Sequence, residues 1–239
     1  MKRKPTRPFH LSAGFTLVEL LVVVVIIAAL AALAFTVGPK MLKRGQAAKS
    51  IQNMRQIGSM MGIYMVDSSN RLPVAKQVIK NPSGGTIDVH WHQLLLAQMY
   101  PEVDIAKFND RKWWEANKPV FRNPLITAST KPLAFEPWFP GYSYNMGINY
   151  IVTGSWDWSA KEGAPQSMGI SLSKIPEPAR TPLIGTRANW HYSGKELTTA
   201  EVKSFLVDGK LPILFVDGHV ESMTQNEYLT RKLEDMPKL

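Results

Sequence analysis

Four of the five histidines, a handful of carboxylates and seven tryptophans are where this chain could do chemistry. His90 and His92 stand two apart, with His191 and His219 far along the chain. On a strand, positions i and i+2 share a face, so this pair could bind a metal with a third ligand; on a helix the two diverge. No tight string of ligands accompanies them. Asp208, Asp217 and Glu221 could contribute to a calcium site. A calcium loop, however, needs a dense run of Asp and Asn, and Asp208-Gly209 and Asp217-Gly218 read better as turns. The absence of Cys removes thiolate catalysis, a disulfide framework and a Cys zinc site. No G-x-S-x-G nucleophile elbow is present, and Gly84-Gly85 lacks the Lys of a phosphate loop. No cofactor and no enzymatic activity are expected. Of the tryptophans, Trp156 and Trp158 flank Asp157 in a segment that reads as loop, and they are the candidates for stacking on a sugar or a protein partner.

The remaining carboxylate is the most informative. Glu19 is the single charge in the 23 residues from Phe15 to Val37, which are otherwise Val, Ile, Leu, Ala, Phe and Thr. As a helix that run spans about 35 Å, enough for a bilayer core of about 30 Å. A carboxylate there costs about 2.5–3.5 kcal/mol at the centre, less near an end, and so demands a reason. Lys2, Arg3, Lys4 and Arg7 precede the run and Lys40, Lys43 and Arg44 follow it. The denser leader favours a cytoplasmic N-terminus. A secretory signal peptide cut after Ala32-Leu33-Ala34 is one reading, against which stand the length of the apolar run and Glu19. A plain signal anchor is another, and it leaves Glu19 unexplained.

A third reading rests on a resemblance. Gly14-Phe15-Thr16-Leu17-Val18-Glu19-Leu20-Leu21, behind a basic leader and ahead of a Val/Ile/Ala-rich run, resembles the cleavage and methylation segment of type IV prepilins and type II secretion pseudopilins. The resemblance implies cleavage between Gly14 and Phe15 by a prepilin peptidase that then N-methylates Phe15. It implies that Glu19 pairs with the N-terminus of a neighbouring subunit during filament assembly. The partners implied are that peptidase and methyltransferase, other pilin-like subunits, an inner-membrane assembly platform and the lipid bilayer. The location implied is the cytoplasmic membrane, single-pass, with the head extracytoplasmic. A type II secretion pseudopilus is the expected assembly. A type IV pilus subunit, major or minor, or a tethered binding head displayed by the prepilin route are the alternatives. The residue chemistry agrees: Gly14 lets the backbone lie close to a protease, and a buried terminal amine needs an anion as much as Glu19 needs a cation.

The rest of the chain must carry the head. Its 239 residues, 45% hydrophobic and 20% charged, exclude bulk disorder and suit one core with an appendage. The net charge of +9 raises nucleic acid as a partner, but four of the cations sit in the leader and no Lys/Arg stripe lies outside 40–55, so none is expected. Ile51, Met54, Ile57, Met61, Tyr64 and Met65 repeat at spacings of three and four, which predicts one helix from Thr16 to about Val66, bent or loosened at Gly38-Pro39. Asp67 to Pro73 ends it in a turn. His90–Tyr100 reads as a short helix, 101–141 as irregular, Tyr142–Val152 as a strand or bent pair, Trp156–Ser167 as loop and Thr181–Thr186 as a strand. Phe205–Val207, Leu211–Val216 and His219–Met223, separated by two Asp-Gly pairs, predict a three-stranded meander. Gln225–Leu233 reads as a short helix. The fold class is therefore α+β: a long N-terminal membrane-spanning helix packed on a head with a small antiparallel sheet. The expected segments are a leader at 1–14, a membrane and filament-core helix at 15–37, its amphipathic continuation at 38–66 and a globular head at 67–239.

The tail adds a second resemblance. Phe215-Val216-Asp217-Gly218-His219-Val220 is similar to the ending of prepilin-like proteins with an H-x9-DG domain, and Asn145–Tyr150 and Pro178–Pro182 resemble its middle motifs. Ten residues before Asp217 that domain has His where this chain has Val207, and His191 is the candidate counterpart. Val120–Pro124 is similar to a segment that often carries Cys before Pro; here the residue is Asn123.

Overall fold

The computed structural model describes residues 15–80, 84–117, 120–126, 141–145, 148, 159–160, 169–186, 191–192 and 200–231. The expectations on the leader, Gly14, Trp156 and Trp158 fall outside them. The chain divides into two compact units, Met1–Leu42 and Lys43–Leu239.

Helix α1 runs Leu17–Asp67, 51 residues. Its first half is rich in β-branched residues, poor helix formers in water, yet a helix satisfies every backbone group internally, which is what an apolar surrounding requires. The helix continues unbroken through Gly38 and Pro39. Pro39 has no N–H to give the carbonyl of Phe35. One turn earlier the Thr36 hydroxyl donates to the carbonyls of Ala32 and Leu33 at 3.2 and 3.0 Å. The helix stops where Ser69 and Asn70 turn left-handed, at φ of 53° and 61°, with Asn70 N–H donating to the Met65 carbonyl at 2.8 Å.

Within the second unit, α1 supplies the stripe foreseen from its spacing. Met54, Ile57 and Met61 are buried, and Tyr64 and Met65 pack half-buried beside them. Met60 joins the same core, as do the polar Ser50 and Asn53. Those two polar residues have partners: the Tyr142 hydroxyl donates to Ser50 Oγ at 3.2 Å, and Asn53 Nδ2 donates to the Arg122 carbonyl at 3.2 Å. Burial pushes the Tyr142 phenol up to about 12 and the Tyr144 phenol up as well.

The main sheet has the order β10-β9-β7-β4-β8, from Val220–Thr224, Lys210–Phe215, Pro182–Thr186, Tyr142–Asn145 and His191–Tyr192. All pairs are antiparallel except β4 with β8. Leu214 and Val216 join the core that contains α1, whereas Leu211, Ile213 and Phe215 build a second, smaller core with Val202, Met223 and Tyr228. Strand β9 is thus covered on both faces, which explains its unbroken apolar run.

The three-stranded meander is corrected. Asp208 and Gly209 do form a tight turn, with φ of 51° and 76°, but the segment between helix α4, Ala200–Lys203, and that turn forms no strand, with a lone bridge from Val207 to Lys210. The edge of β9 that Phe205–Val207 would need is taken by β7. At the second turn Gly218 alone takes positive φ (90°), and Gly218 N–H donates to the Phe215 carbonyl at 3.0 Å. That is a three-residue loop ending in a left-handed glycine, in place of the two-residue turn expected.

Other departures are smaller. Strands β2, Lys76–Lys80, and β3, Thr86–His90, form a hairpin that reading by composition passed over, joined by parallel β5 at Ser159–Ala160 inside the stretch read as loop. A short pair joins β1, Arg71–Leu72, to β6, Ile170–Ser171. The predicted helix at His90 is α2, Trp91–Met99. Within 101–141, read as irregular, Ile105–Asn109 forms a 3-10 turn and Arg111–Asn117 helix α3, where Phe108 packs edge-on against Trp113 at 4.8 Å. Helix α5, Gln225–Thr230, opens with a capping box, Thr224 N–H to Glu227 Oε2 at 2.6 Å and Glu227 N–H to Thr224 Oγ1 at 3.1 Å. The backbone and side-chain bonds from Thr224 hold the Glu227 carboxyl below its ordinary value.

Candidate processing and assembly segment

The candidate site lies in the first unit, at the start of α1. Phe15 is 73% exposed, and from Leu17 to Leu42 almost every large apolar side chain is exposed, Leu17 at 84% and Phe35 at 82%. An 18-residue window of this helix reaches a mean hydropathy of 3.1, so it is long and apolar enough to cross a membrane. A contiguous surface of this kind requires lipid or the same surface of another helix around it.

At the helix start, Glu19 Oε2 accepts from the Thr16 N–H at 2.8 Å and from the Thr16 hydroxyl at 2.7 Å. The Thr16 hydroxyl in turn accepts from the Glu19 N–H at 3.2 Å. This is a capping box: two of the otherwise unpartnered N–H groups of the first turn are satisfied reciprocally, and the carboxylate stands at the positive end of the helix. Thr16 was missed as part of the site. Its signal was available, since Thr16-x-x-Glu19 ahead of an apolar run is the sequence form of a capping box. One carboxylate oxygen therefore has partners within its own chain. What the arrangement can do is hold Glu19 beside the backbone that follows Gly14, where cleavage would create a new amine.

The second unit places the other candidates apart. His90 and His92 are both buried, their rings 6.0 Å apart and nearly parallel, at the junction of β3 and α2. His191 lies on β8 and His219 after the Asp217-Gly218 turn. Asp208 is paired with Arg44, Nε to Oδ2 at 2.9 Å. Asp217 holds His219 Nδ1 at 2.6 Å, and the His219 ring stacks on Phe215 at 4.3 Å. Glu221 receives Arg231 Nη1 on both oxygens, at 2.7 and 2.8 Å. The three acids considered for calcium thus sit with three different cationic or imidazole partners. Among the described residues no group of three or more His, Asp or Glu is positioned to hold a metal ion. A depression of about 320 Å³ opens between α1 and α2 over Met60, Leu96 and Phe121, with Gln56 and Ser59 on its polar side.

Residues 10–35 match the family described as the prokaryotic N-terminal methylation motif. No curated protein and no solved structure matches the chain. The match spans Gly14, Phe15, Thr16 and Glu19 and supports a prepilin-type N-terminal segment, carried on a helix long and apolar enough to cross a membrane. Its layout, a long apolar N-terminal helix followed by a head with small antiparallel sheets, is α+β and pilin-like.

Proposed function

We propose that this chain is a structural subunit of a type II secretion pseudopilus, cut after Gly14, N-methylated at Phe15 and assembled through residues 15–37. The observation that carries the proposal is the methylation motif at 10–35 on a helix whose apolar side chains are exposed from Leu17 to Leu42. The subunit is not an enzyme. Covalent chemistry is done on it by a prepilin peptidase and methyltransferase, and its own role is to pack. The N-terminus lies in the cytoplasm before cleavage and the head outside the inner membrane, in keeping with the leader's dense positive charge. The similarity of Phe215–Val220 to the H-x9-DG ending favours the pseudopilus over a type IV pilus.

The test is mass and N-terminal sequencing of the membrane-extracted protein coexpressed with a prepilin peptidase. The expected product begins at methylated Phe15. It is lost in Gly14→Ala and retained in Glu19→Ala, whose incorporation into filaments drops instead. A chain beginning at Phe35, or an intact Met1, overturns the proposal. For the choice of machine, deletion in the native host should abolish protein secretion while surface pili persist; the reverse result identifies a pilus subunit.

A further inference from the structure

The depression between α1 and α2 lies wholly in the second unit and is independent of the processing segment. Its volume is about 320 Å³, and its floor is apolar, built on buried Met60, Leu96 and Phe121. At its rim Met99 is 49% exposed. The groove has a positive end and a negative end. Lys49, Asn53, Gln56 and Met60 follow at i, i+4, i+7 and i+11, one row of α1. Lys49 is exposed and stands about 10 Å before Gln56 along the axis. Arg122, also exposed, is brought to the same end: its carbonyl accepts from Asn53 Nδ2 at 3.2 Å, while the preceding Phe121 lines the groove. Neither cation has a carboxylate partner among the described residues. In the other direction the same row reaches Asp67, whose carboxylate accepts from Gln98 Nε2 of α2, and exposed Glu102 and Asp104 follow Tyr100. We infer that this groove binds a medium-chain carboxylate anion, a fatty acid of about ten carbons, with its chain over Met60, Leu96 and Phe121 and its carboxylate toward Lys49 and Arg122.

Size, polarity and charge each narrow the ligand. An apolar cavity of about 150 Å³ holds benzene, so a volume of about 320 Å³ suits roughly ten to twelve carbons. Few polar groups line the groove, and Ser59 Oγ already donates to the Arg55 carbonyl at 3.1 Å. A sugar or a peptide backbone would leave its own polar groups unsatisfied there, whereas an alkyl chain would not. The acidic end repels a carboxylate and the basic end attracts it, which fixes the direction of the chain. Two exposed ion pairs are worth roughly a fivefold gain in affinity, which salt weakens.

The experiment uses the full chain in phosphatidylcholine nanodiscs and decanoate carrying a terminal diazirine, with photolabelled peptides located by mass spectrometry. Labelling within 15–37 reports probe dissolved in lipid and serves as the internal reference. Wild type should show saturable labelling on the peptides that carry Met60, Leu96 and Met99. Unlabelled decanoate should compete, and decanol, which lacks the charge, should compete roughly fivefold less well. Lys49→Gln with Arg122→Gln should lower groove labelling roughly fivefold, while Lys174→Gln with Lys203→Gln, two exposed lysines outside the groove, should leave it within twofold. Labelling that never saturates, equal competition by decanol, or equal labelling in the two double variants overturns the inference. A dimer in native mass spectrometry that leaves the groove unlabelled assigns this face to a second copy and overturns it too.

Discussion

Asn123 ties the interior of the head with one side chain. Its Nδ2 donates to the Gly141 carbonyl at 3.0 Å and to Thr186 Oγ1 at 3.3 Å, and its Oδ1 accepts from the Leu125 N–H at 3.0 Å. It is 4% exposed, so removing it strands partners that water cannot reach. Asn123→Leu should cost about 2–3 kcal/mol in denaturant unfolding of the head. At this scale the sequence was informative in part. The position was noticed because a Cys often stands there, but the partners lie 18 and 63 residues away and no local pattern announces them. Tyr142 offers a second check. Its phenol is raised from 10.0 to about 12, so neutral Tyr142 contributes stability fully below pH 10 and loses it as pH rises from 10 toward 12. Tyr142→Phe should flatten the alkaline fall in stability across that window, at a cost near neutrality of about 1 kcal/mol for the lost bond to Ser50.

Elements were legible where one period dominates. Met54, Ile57 and Met61 announced the buried face of α1 because three- and four-residue spacing has one geometric meaning. The hairpin β2–β3 was harder: its strands carry Lys76, Lys80, Asp88 and His90 and are largely half-exposed, so no strong alternation marks them. The meander failed for a different reason. Both Asp-Gly pairs do turn the chain, but which strand pairs with β9 was decided by β7, about 30 residues upstream, a competition local propensity cannot express. The packing of α1 on that sheet rests on Gly58. A Cβ there would meet Leu214 Cδ1 at 3.1 Å and the Gly218 carbonyl oxygen at 3.3 Å. Gly58→Val should destabilise the head by about 1–3 kcal/mol through overpacking. Gly58→Ala should come out near neutral, its gain in helix propensity of up to about 1 kcal/mol offset by the tight contact. Thermal unfolding of the two variants side by side checks both.

For the whole molecule, the division at Leu42 and Lys43 sets the expectation. The second unit has its own core, so a chain beginning at Lys43 should fold, remain monomeric and stay in solution, while the full chain should require detergent or lipid. Sedimentation and circular dichroism of the two proteins test this. The methylation motif was legible from Gly14 to Leu21 because a short contiguous segment is what sequence states directly. Which assembly such a segment would serve was not legible, because that depends on surfaces matched to partners outside this chain.

The Thr16–Glu19 box also bears on timing. A carboxylate with two donors from its own first turn is not a bare charge waiting in hydrocarbon. On the proposed assembly, a subunit in that state could diffuse laterally and accumulate as a reserve. Recruitment would then be an exchange of one set of donors for another, gated by how often the first turn frays, so a weaker cap at Thr16 would shorten the wait and a stronger one would lengthen it.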